Sequence, residues 1–323
     1  MNELAERWDR FWFAPAATST IAVFRIAYGV IVLLWATALS FDASTFFSPS
    51  GVLPSQSSPG LRWGLFAWLH SSTAVTVLLV ALFASAVCVI AGYHSRLATA
   101  ATFVLLVSFT RRNPWVFNSG DALIRNFGLF LALAPSGAAL SVDRWRATGG
   151  DIWRFPLRAP WALRLIQVQV SFVYLFTVWA KARGAHWIAG TAVAESLRVG
   201  DIVRFKIPYG VTNSLLLANL LTYGTLLIEL SLAILIWNRK LRPYVIAGGI
   251  ALHLFIELTF ALGFFSMIMI ASYIAFVPED AMSRRLADVR RRLGHSKIGG
   301  LRRLGSAGAA PLVASRSPAP VGR

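Results

Sequence analysis

Along the 323 residues, long apolar runs alternate with short polar interruptions. The runs occupy 21–40, 73–92, 97–110, 122–140, 161–180, 215–237, 244–260 and 262–277. Runs of roughly 18 or more apolar residues predict membrane-crossing helices, not the alternating strands of a barrel. The expected fold class is therefore all-α: a polytopic transmembrane helical bundle of about eight spans, within a range of seven to nine. The run at 97–110 is short for a bilayer and is expected to tilt or insert only in part. Little more than Ala261-Leu262-Gly263 separates the last two runs, so one bent span with a re-entrant piece is the alternative there. No internal repeat is visible, which disfavours an inverted-repeat transporter.

The flanks read differently. NELAERWDRFWF puts Leu4, Trp8, Phe11 and Trp12 on one helical face, predicting an interfacial amphipathic helix within residues 1–20. A cleaved signal peptide is the rival, since Ala36-Thr37-Ala38 resembles a cleavage site, but the acidic start and the long run 21–40 disfavour it. The Pro, Ser and Gly of SPSGVLPSQSSPG predict an irregular loop after the first run. From Glu279, EDAMSRRLADVRRRLG predicts a basic amphipathic helix, and beyond His295 the Gly, Ser, Ala and Pro content predicts disorder. The chain thus divides into residues 1–20, a membrane domain at 21–278 and a basic tail at 279–323.

Composition agrees with a lipid-facing exterior: 56% of residues are hydrophobic, 14% are charged and the mean hydropathy is +0.62. The net charge of +17 comes largely from arginines beside the apolar runs and in the tail, where such charge fixes topology and attracts anionic lipid. No nucleic-acid partner is expected, since no folded nucleic-acid module accompanies the charge. With eight spans, 20 Lys and Arg lie on the side of the termini and 8 on the other. Without the tail the first number falls to 10, so the tail carries the asymmetry. This predicts a multi-pass protein of the cell (inner or plasma) membrane with both termini cytoplasmic, its 1–2, 3–4 and 5–6 loops outside. Cys88, the single cysteine, reads as a small buried apolar residue; no disulfide within the chain and no thiolate metal cluster can form.

Polar residues within the runs carry the candidate chemistry, because ionisable groups in a membrane face the bundle or a wet cavity and have partners. Arg25 is expected to snorkel to the interface. Asp121 or Ser119 can cap the helix beginning near Asn118, and Asp121 and Arg125, four apart, can pair. Gln167, Ser171 and Tyr174 follow helical spacing and make one polar stripe, which continues through Thr177 to Lys181. Interhelical hydrogen bonding explains such a stripe, and so does a path to a reactive site. Beyond Lys181 stand His186 and Trp187, on the outer side by the charge count. Glu229 lies deep in the sixth run, and His253 and Glu257 sit four apart in the seventh, close enough to interact as a structural pair or a proton relay. One His–Glu pair is too small a ligand set for a metal, so none is expected. The chain has no GxSxG elbow, no GxxxxGK[ST] loop and no GxGxxG within a βαβ pattern.

Several segments resemble the HTTM (horizontally transferred transmembrane) domain proteins, bacterial relatives of the membrane part of vitamin K-dependent gamma-carboxylase. They are FRIAYGVIVLLW, NSGDALIRNFGLFLALAPSGAALSVDRW, RLIQVQVSFVYLFTVWAKARGAHWIAGTAV, LLIELSLAILI and ALHLFIELTFALGFFSMIMIASYIAFVP, in that order across most of 20–278. The Gln-x-Gln stripe followed by K-x-x-x-x-x-W-x-x-G-T-A is the most specific of them. In the carboxylase, a lysine before a similar W-x-x-G segment is thought to act as base on reduced vitamin K. The resemblance makes Lys181 its counterpart, with one residue more between Lys181 and Trp187, and implies a quinone or vitamin K-like cofactor. No large soluble domain is expected after the last span to present a propeptide.

Three functions stay open. The first is a membrane-embedded gamma-carboxylase-like or other modification enzyme with an outward pocket. There Lys181 would accept a proton, His253 or Glu257 would relay it, and Gln167, Tyr174, His186, Trp187, Glu229, Asp121 and Arg125 would bind substrate. The second is a non-enzymatic accessory factor in maturation or export of a secreted peptide. The third is a carrier of a small lipophilic molecule. The lipid bilayer is a partner in all three.

Overall fold

Ser71 and Ser214, whose hydroxyls accept from Ala74 N–H and Leu217 N–H, open two of the long helices, and Gly92 in the left-handed region closes the first of them. Such caps and the apolar runs between them yield a helical bundle in the computed structural model. It describes residues 2–53 and 64–306, without the side chains of Val211 and of 294–306. Residues 54–63 of the expected irregular loop and 307–323 of the tail lie outside the described residues.

In chain order the helices are α1 (Glu3–Phe13), α2 (Ser19–Ser40), α3 (Ala43–Phe47), α4 (Ser72–Ala91), α5 (Ser95–Arg112), α6 (Ser119–Leu133), α7 (Val142–Thr148) and α8 (Trp161–Lys181). They continue with α9 (Ala185–Ile188), α10 (Ala192–Ser196), α11 (Tyr209–Thr212), α12 (Leu215–Ile234), α13 (Arg242–Thr259), α14 (Phe265–Ser272) and α15 (Glu279–Ser306). Short 3-10 turns extend α12 through Leu235–Trp237 and α14 through Tyr273–Phe276. A two-residue antiparallel ladder pairs β1 (Ala16–Ala17) with β2 (Leu157–Arg158) in the register Ala16↔Arg158 and Ala17↔Leu157.

Helices occupy all eight expected runs, and hydrogen bonds gather their connections at two ends. At one end Ser19 Oγ donates to Glu279 O, Thr18 N–H to Pro156 O and the His94 and Ser95 amides to Asp143. At the other end Asn113 Nδ2 donates to Phe46 O, Asn118 Nδ2 to Leu262 O and Arg204 N–H to Thr259 O. The helices α2, α4, α5, α6, α8, α12, α13 and α14 therefore run alternately between these ends. By length and apolar composition, four segments qualify as membrane spans: Ser19–Ser40, Ser72–Ala91, Trp161–Lys181 and Leu215–Trp237. A fifth qualifies if Phe265–Phe276 and Glu279–Leu293, bent by 101°, count as one. At about 1.5 Å per residue the 15-residue α6 spans about 22 Å, less than a typical hydrocarbon core of about 30 Å.

The core forms around α2, whose Phe24, Tyr28, Val32 and Trp35 are buried against α4, α6 and α14. Phe24 meets Phe127 edge-on at 5.6 Å. On α5 the buried hydroxyls Thr99, Thr102 and Ser108 each donate back to a carbonyl four residues earlier, so no polar group of theirs is stranded. The segment expected to lie at the interface is helical as α1: Leu4 and Trp8 are exposed, and Phe11 docks beside Trp237 with the Arg164 guanidinium over its ring. The basic helix expected from Glu279 continues past His295 to Ser306.

Arg25 corrects the snorkelling expectation. Its side chain is fully buried and turned inward, with Nη1 donating to Ser136 O at 2.8 Å and Nη2 to Leu140 O at 2.6 Å. The segment after α6 turns there and leaves carbonyls without helical partners, and the guanidinium fork fills them. Asp143 does the reverse job for α5. Burial by itself pushes its carboxyl up, but donation from the Ser95 amide and hydroxyl and from the His94 amide holds it below the usual range.

Arg25→Met, which keeps bulk and removes the fork, is expected to cost about 2–5 kcal/mol through the stranded carbonyls. Thermal unfolding of the purified protein in detergent reads this as a clear fall in midpoint; an unchanged midpoint would mean those carbonyls find other donors.

Candidate functional site

The polar stripe on α8 is real, and each member meets a different neighbour. Gln167 Nε2 donates to Ala275 O at 2.7 Å, while its Oε1 accepts from Arg164 Nη1 at 2.9 Å. Ser171 Oγ accepts from Trp237 Nε1 at 2.8 Å. The Tyr174 hydroxyl is hydrogen-bonded to His253 Nε2 at 2.7 Å and also to the Tyr273 hydroxyl. Thr177 bonds back to Val173 O in its own helix. Lys181 closes the stripe, its Nζ donating to Glu229 Oε1 at 2.6 Å.

The backbone after Lys181 explains the W-x-x-G spacing. α8 stops at Lys181, Gly184 starts α9, and the Trp187 ring folds back so that Lys181 Nζ lies 4.5 Å from its centroid. Gly190 then turns the chain with φ 75°, a left-handed conformation that favours glycine. A Cβ at Gly190 would stand 2.1 Å from Asn219 Oδ1 on α12, so the close approach of this segment to α12 also needs a glycine. Arg183 points the other way, over the exposed Trp179 ring at 3.7 Å, an arrangement suited to a membrane–water interface.

Lys181, Glu229 and Trp187 form one wall of a cavity of about 210 Å³. Leu252, Phe255, Ile256 and Phe260 of α13 and its end supply an apolar wall, with Val193, Ile202 and Leu262 completing it and Ser196 and Thr225 adding hydroxyls. Small-molecule sites of this kind are concave, mostly apolar and carry a few convergent polar groups. Glu229 Oε2 is buried there without a hydrogen-bond partner among the described residues. The segment over the cavity is fastened by Arg204. Its Nη2 meets Glu257 Oε1 at 2.8 Å, its Nε donates to Glu257 O at 2.7 Å and Phe260 O at 3.1 Å, and Val203 bridges Phe260.

Two expected pairs do not form. Glu257 is taken by Arg204, and His253 turns from it to Tyr174, with Nδ1 buried and unpartnered. A fork at the end of α13 serves a carboxylate and two released carbonyls at once, which a neutral imidazole one turn away cannot match. Asp121 likewise passes over Arg125. Its Oδ1 accepts from Trp35 Nε1 at 2.6 Å, and its Oδ2 accepts the Asn118 amide at 2.6 Å in a capping box. Asp121 lines a separate cavity of about 200 Å³ with Trp35, Asp42 and Phe264, and Arg125 lines neither this cavity nor the Lys181 cavity. His186 lies outside the Lys181 cavity and bonds Glu195 Oε2 at 2.7 Å. Donation from Thr191, then the neighbouring His186, holds the Glu195 carboxyl below its usual range. Gln167 is buried as interhelical glue away from the cavity. The sequence reading missed Tyr273 and Arg204; a tyrosine inside IMIASYIAF was a usable signal for the first. Among the described residues no cluster of His, Cys, Asp and Glu has metal-binding geometry.

The HTTM domain family model matches residues 13–280, from the last residue of α1 into the first turn of α15. No curated protein and no solved structure matches the chain.

If Arg204 and Glu257 act as one fastening, Arg204→Met and Glu257→Gln should each lower thermal stability and their double variant should lose little more than either. Part exposure screens the pair, so the coupling is expected at about 0.5–1 kcal/mol. A double-mutant cycle of unfolding midpoints measures it; strictly additive losses would count against the fastening.

Proposed function

The chain belongs to the HTTM domain family, and from that premise we propose that it is a membrane-embedded, gamma-carboxylase-like modification enzyme with its pocket at Lys181. Lys181 accepts a proton from a small lipophilic substrate seated against the apolar wall of α13, and Glu229 holds the amine in place and shares its proton. The observation that carries this reading is the Lys181–Glu229 pair, 2.6 Å apart, on the wall of an otherwise apolar cavity. A lysine on such a wall can take up and release a proton, and an adjacent carboxylate gives the proton somewhere to go.

A quinone-like ring fits these residues: Trp187, Phe255 and Phe260 offer flat apolar surface, and the unpartnered Glu229 Oε2 offers an acceptor to a ring hydroxyl. Such a group, when bound, would supply the redox chemistry that side chains lack. Trp187 and Gly190 orient Lys181, and Arg204 fastens the segment over the cavity.

All eight helices cross the membrane in this reading, with the basic end, carrying both α1 and α15, in the cytoplasm and the Lys181 end outside. That assignment follows the excess of Lys and Arg at the basic end. The membrane is the cell's inner or plasma membrane.

Two measurements test this. Protein extracted from its own membranes should retain a lipophilic small molecule detectable by mass spectrometry, and Lys181→Ala and Glu229→Gln should each lose at least about 90% of it, a cost of about 1.4 kcal/mol or more. Equal retention by folded variants would remove Lys181 from the site, and retention of a peptide would point to a maturation factor. For orientation, Gly200→Cys, at an exposed position open around its Cβ, should react with an impermeant thiol reagent from outside intact cells. Labelling only after the cells are opened would reverse the topology.

A further inference from the structure

Directly behind the cavity, three titratable rings from three helical segments converge where no water is needed to join them. Tyr174 comes from α8, His253 from α13 and Tyr273 from the turn that extends α14. All three are buried, at 3%, 1% and 3% relative exposure. The Tyr174 hydroxyl is at the centre, bonded to His253 Nε2 at 2.7 Å on one side and to the Tyr273 hydroxyl on the other. Gly249 makes room for this arrangement: a Cβ there would stand 2.6 Å from the Tyr273 hydroxyl and 2.9 Å from Leu232 Cδ2. The hydroxyl end of Tyr273 therefore abuts α13 at Gly249, and Leu232 of α12, one turn from Glu229, lies against the same glycine. The Glu229 carboxylate interacts electrostatically with both tyrosines.

An unused hydrogen-bonding atom stands at the His253 end of this row, and another on Glu229, whose charge acts on both tyrosines. Among the described residues, Glu229 Oε2 and His253 Nδ1 are both buried without partners. Buried polar atoms are seldom left unpaired, and where they are, a change of protonation or a mobile partner is one account. Packing alone would be served as well by phenylalanines, whereas a row of hydroxyls ending on an imidazole can pass a proton.

We infer that Tyr273 and Tyr174 form a proton relay between Glu229 and His253, which deepens the reading of Lys181 as a proton acceptor and rests on it for the source of the proton. Once Lys181 has passed a proton to Glu229, the carboxylic O–H of Glu229 donates to the Tyr273 oxygen. The Tyr273 O–H donates to Tyr174, and the Tyr174 O–H donates to His253 Nε2. Transfer breaks each O–H bond as the next forms: Glu229 becomes a carboxylate, both tyrosines stay neutral and His253 becomes an imidazolium. One proton moves, no electron is transferred, and no co-reactant is consumed. The first hop needs the Glu229 carboxyl to swing toward Tyr273 or one water between them; the other two use hydrogen bonds already made.

The groups facing His253 are few. Tyr174 and Tyr273 meet it from α8 and from the turn after α14, Phe265 packs edge-on at 5.5 Å, and the charge of Lys181 acts on it at longer range. Glu257 on its own helix is held by Arg204. His253 is thus open to the relay and to little else.

The test uses full-length protein in lipid nanodiscs and a laser-released proton. Time-resolved infrared spectroscopy follows the Glu229 carboxyl band and the His253 ring band, each assigned by its loss in Glu229→Gln and His253→Gln. In the native protein the His253 band should follow the Glu229 band, more slowly in D2O than in H2O. Tyr273→Phe should slow it at least about tenfold, the scale on which a positioned proton carrier acts, while leaving the unfolding midpoint near native. Native-like timing in a folded Tyr273→Phe protein overturns the relay. If that variant does not fold, Tyr174→Phe breaks the next link and is read in the same way. Lys181→Ala should leave the Glu229-to-His253 step intact, so a mistaken role for Lys181 and a mistaken relay give different results.

Discussion

Carbonyl groups released where helices end have no water to turn to inside an apolar bundle, and arginine forks answer them throughout this protein. Arg25 serves the turn after α6, Arg112 holds Ser48 and Leu53 beside α3, and Arg198 reaches Thr212 at α11. Arg204 binds the end of α13, and Arg242 takes the carbonyls of Ile236, Trp237 and Phe276 where α12 and α14 finish. A guanidinium stays charged, presents several donors in one plane and so satisfies two or three carbonyls at once. The cationic end of such a side chain also complements the negative end of a helix dipole. With the ends fixed in this way, the helices between them are held in register, and the polar stripe of α8 can meet defined partners.

The helical segments and the stripe were legible in the sequence because both are local, periodic signals. Apolar runs located all eight helices, though the run 122–140 overshot α6, which stops at Leu133, and the three-and-four spacing from Gln167 to Lys181 described one face correctly. Partners were not legible. Lys181 meets a residue 48 positions away, Tyr174 one 99 away and Gln167 one 108 away. The guesses that did use local spacing, Asp121 with Arg125 and His253 with Glu257, failed for one reason. In each, the acidic side chain lies within the first or last turn of its helix, where capping groups compete for it more strongly than a neighbour four residues along. Arg25 misled for a related reason: an arginine near the start of an apolar run reads as interfacial until the carbonyls of a distant turn are known to lie beside it.

Spacing around Gly190 shows how little freedom the site has. The chain must leave the bundle at Lys181, bring Trp187 back over the amine and then pass close to Asn219 on α12. The short helix α9 sets the first return and the left-handed glycine sets the second. An alanine at 190 would collide with Asn219 and disfavour the backbone, so the same residue fixes both the turn and the distance of the roof from the cavity.

Set beside the arginines, the choice of cation at the cavity carries information. Among the described residues, the cations that serve carbonyl groups at helix ends are arginines, which cannot give up their proton in a protein. The cation on the cavity wall is Lys181, whose ammonium can, and its partner is a carboxylate rather than a row of carbonyls. An arginine at 181 could make a firmer bridge to Glu229, bidentate and better suited to burial. Stability alone would therefore favour arginine, and a lysine is what the proposed proton transfer requires. The same contrast holds behind it, where tyrosines and a histidine occupy positions that phenylalanines could fill. Lys181 and Glu229 on the cavity wall and the Tyr174, His253 and Tyr273 rings near it are all able to change protonation state, while arginines, which cannot, tie the helix ends.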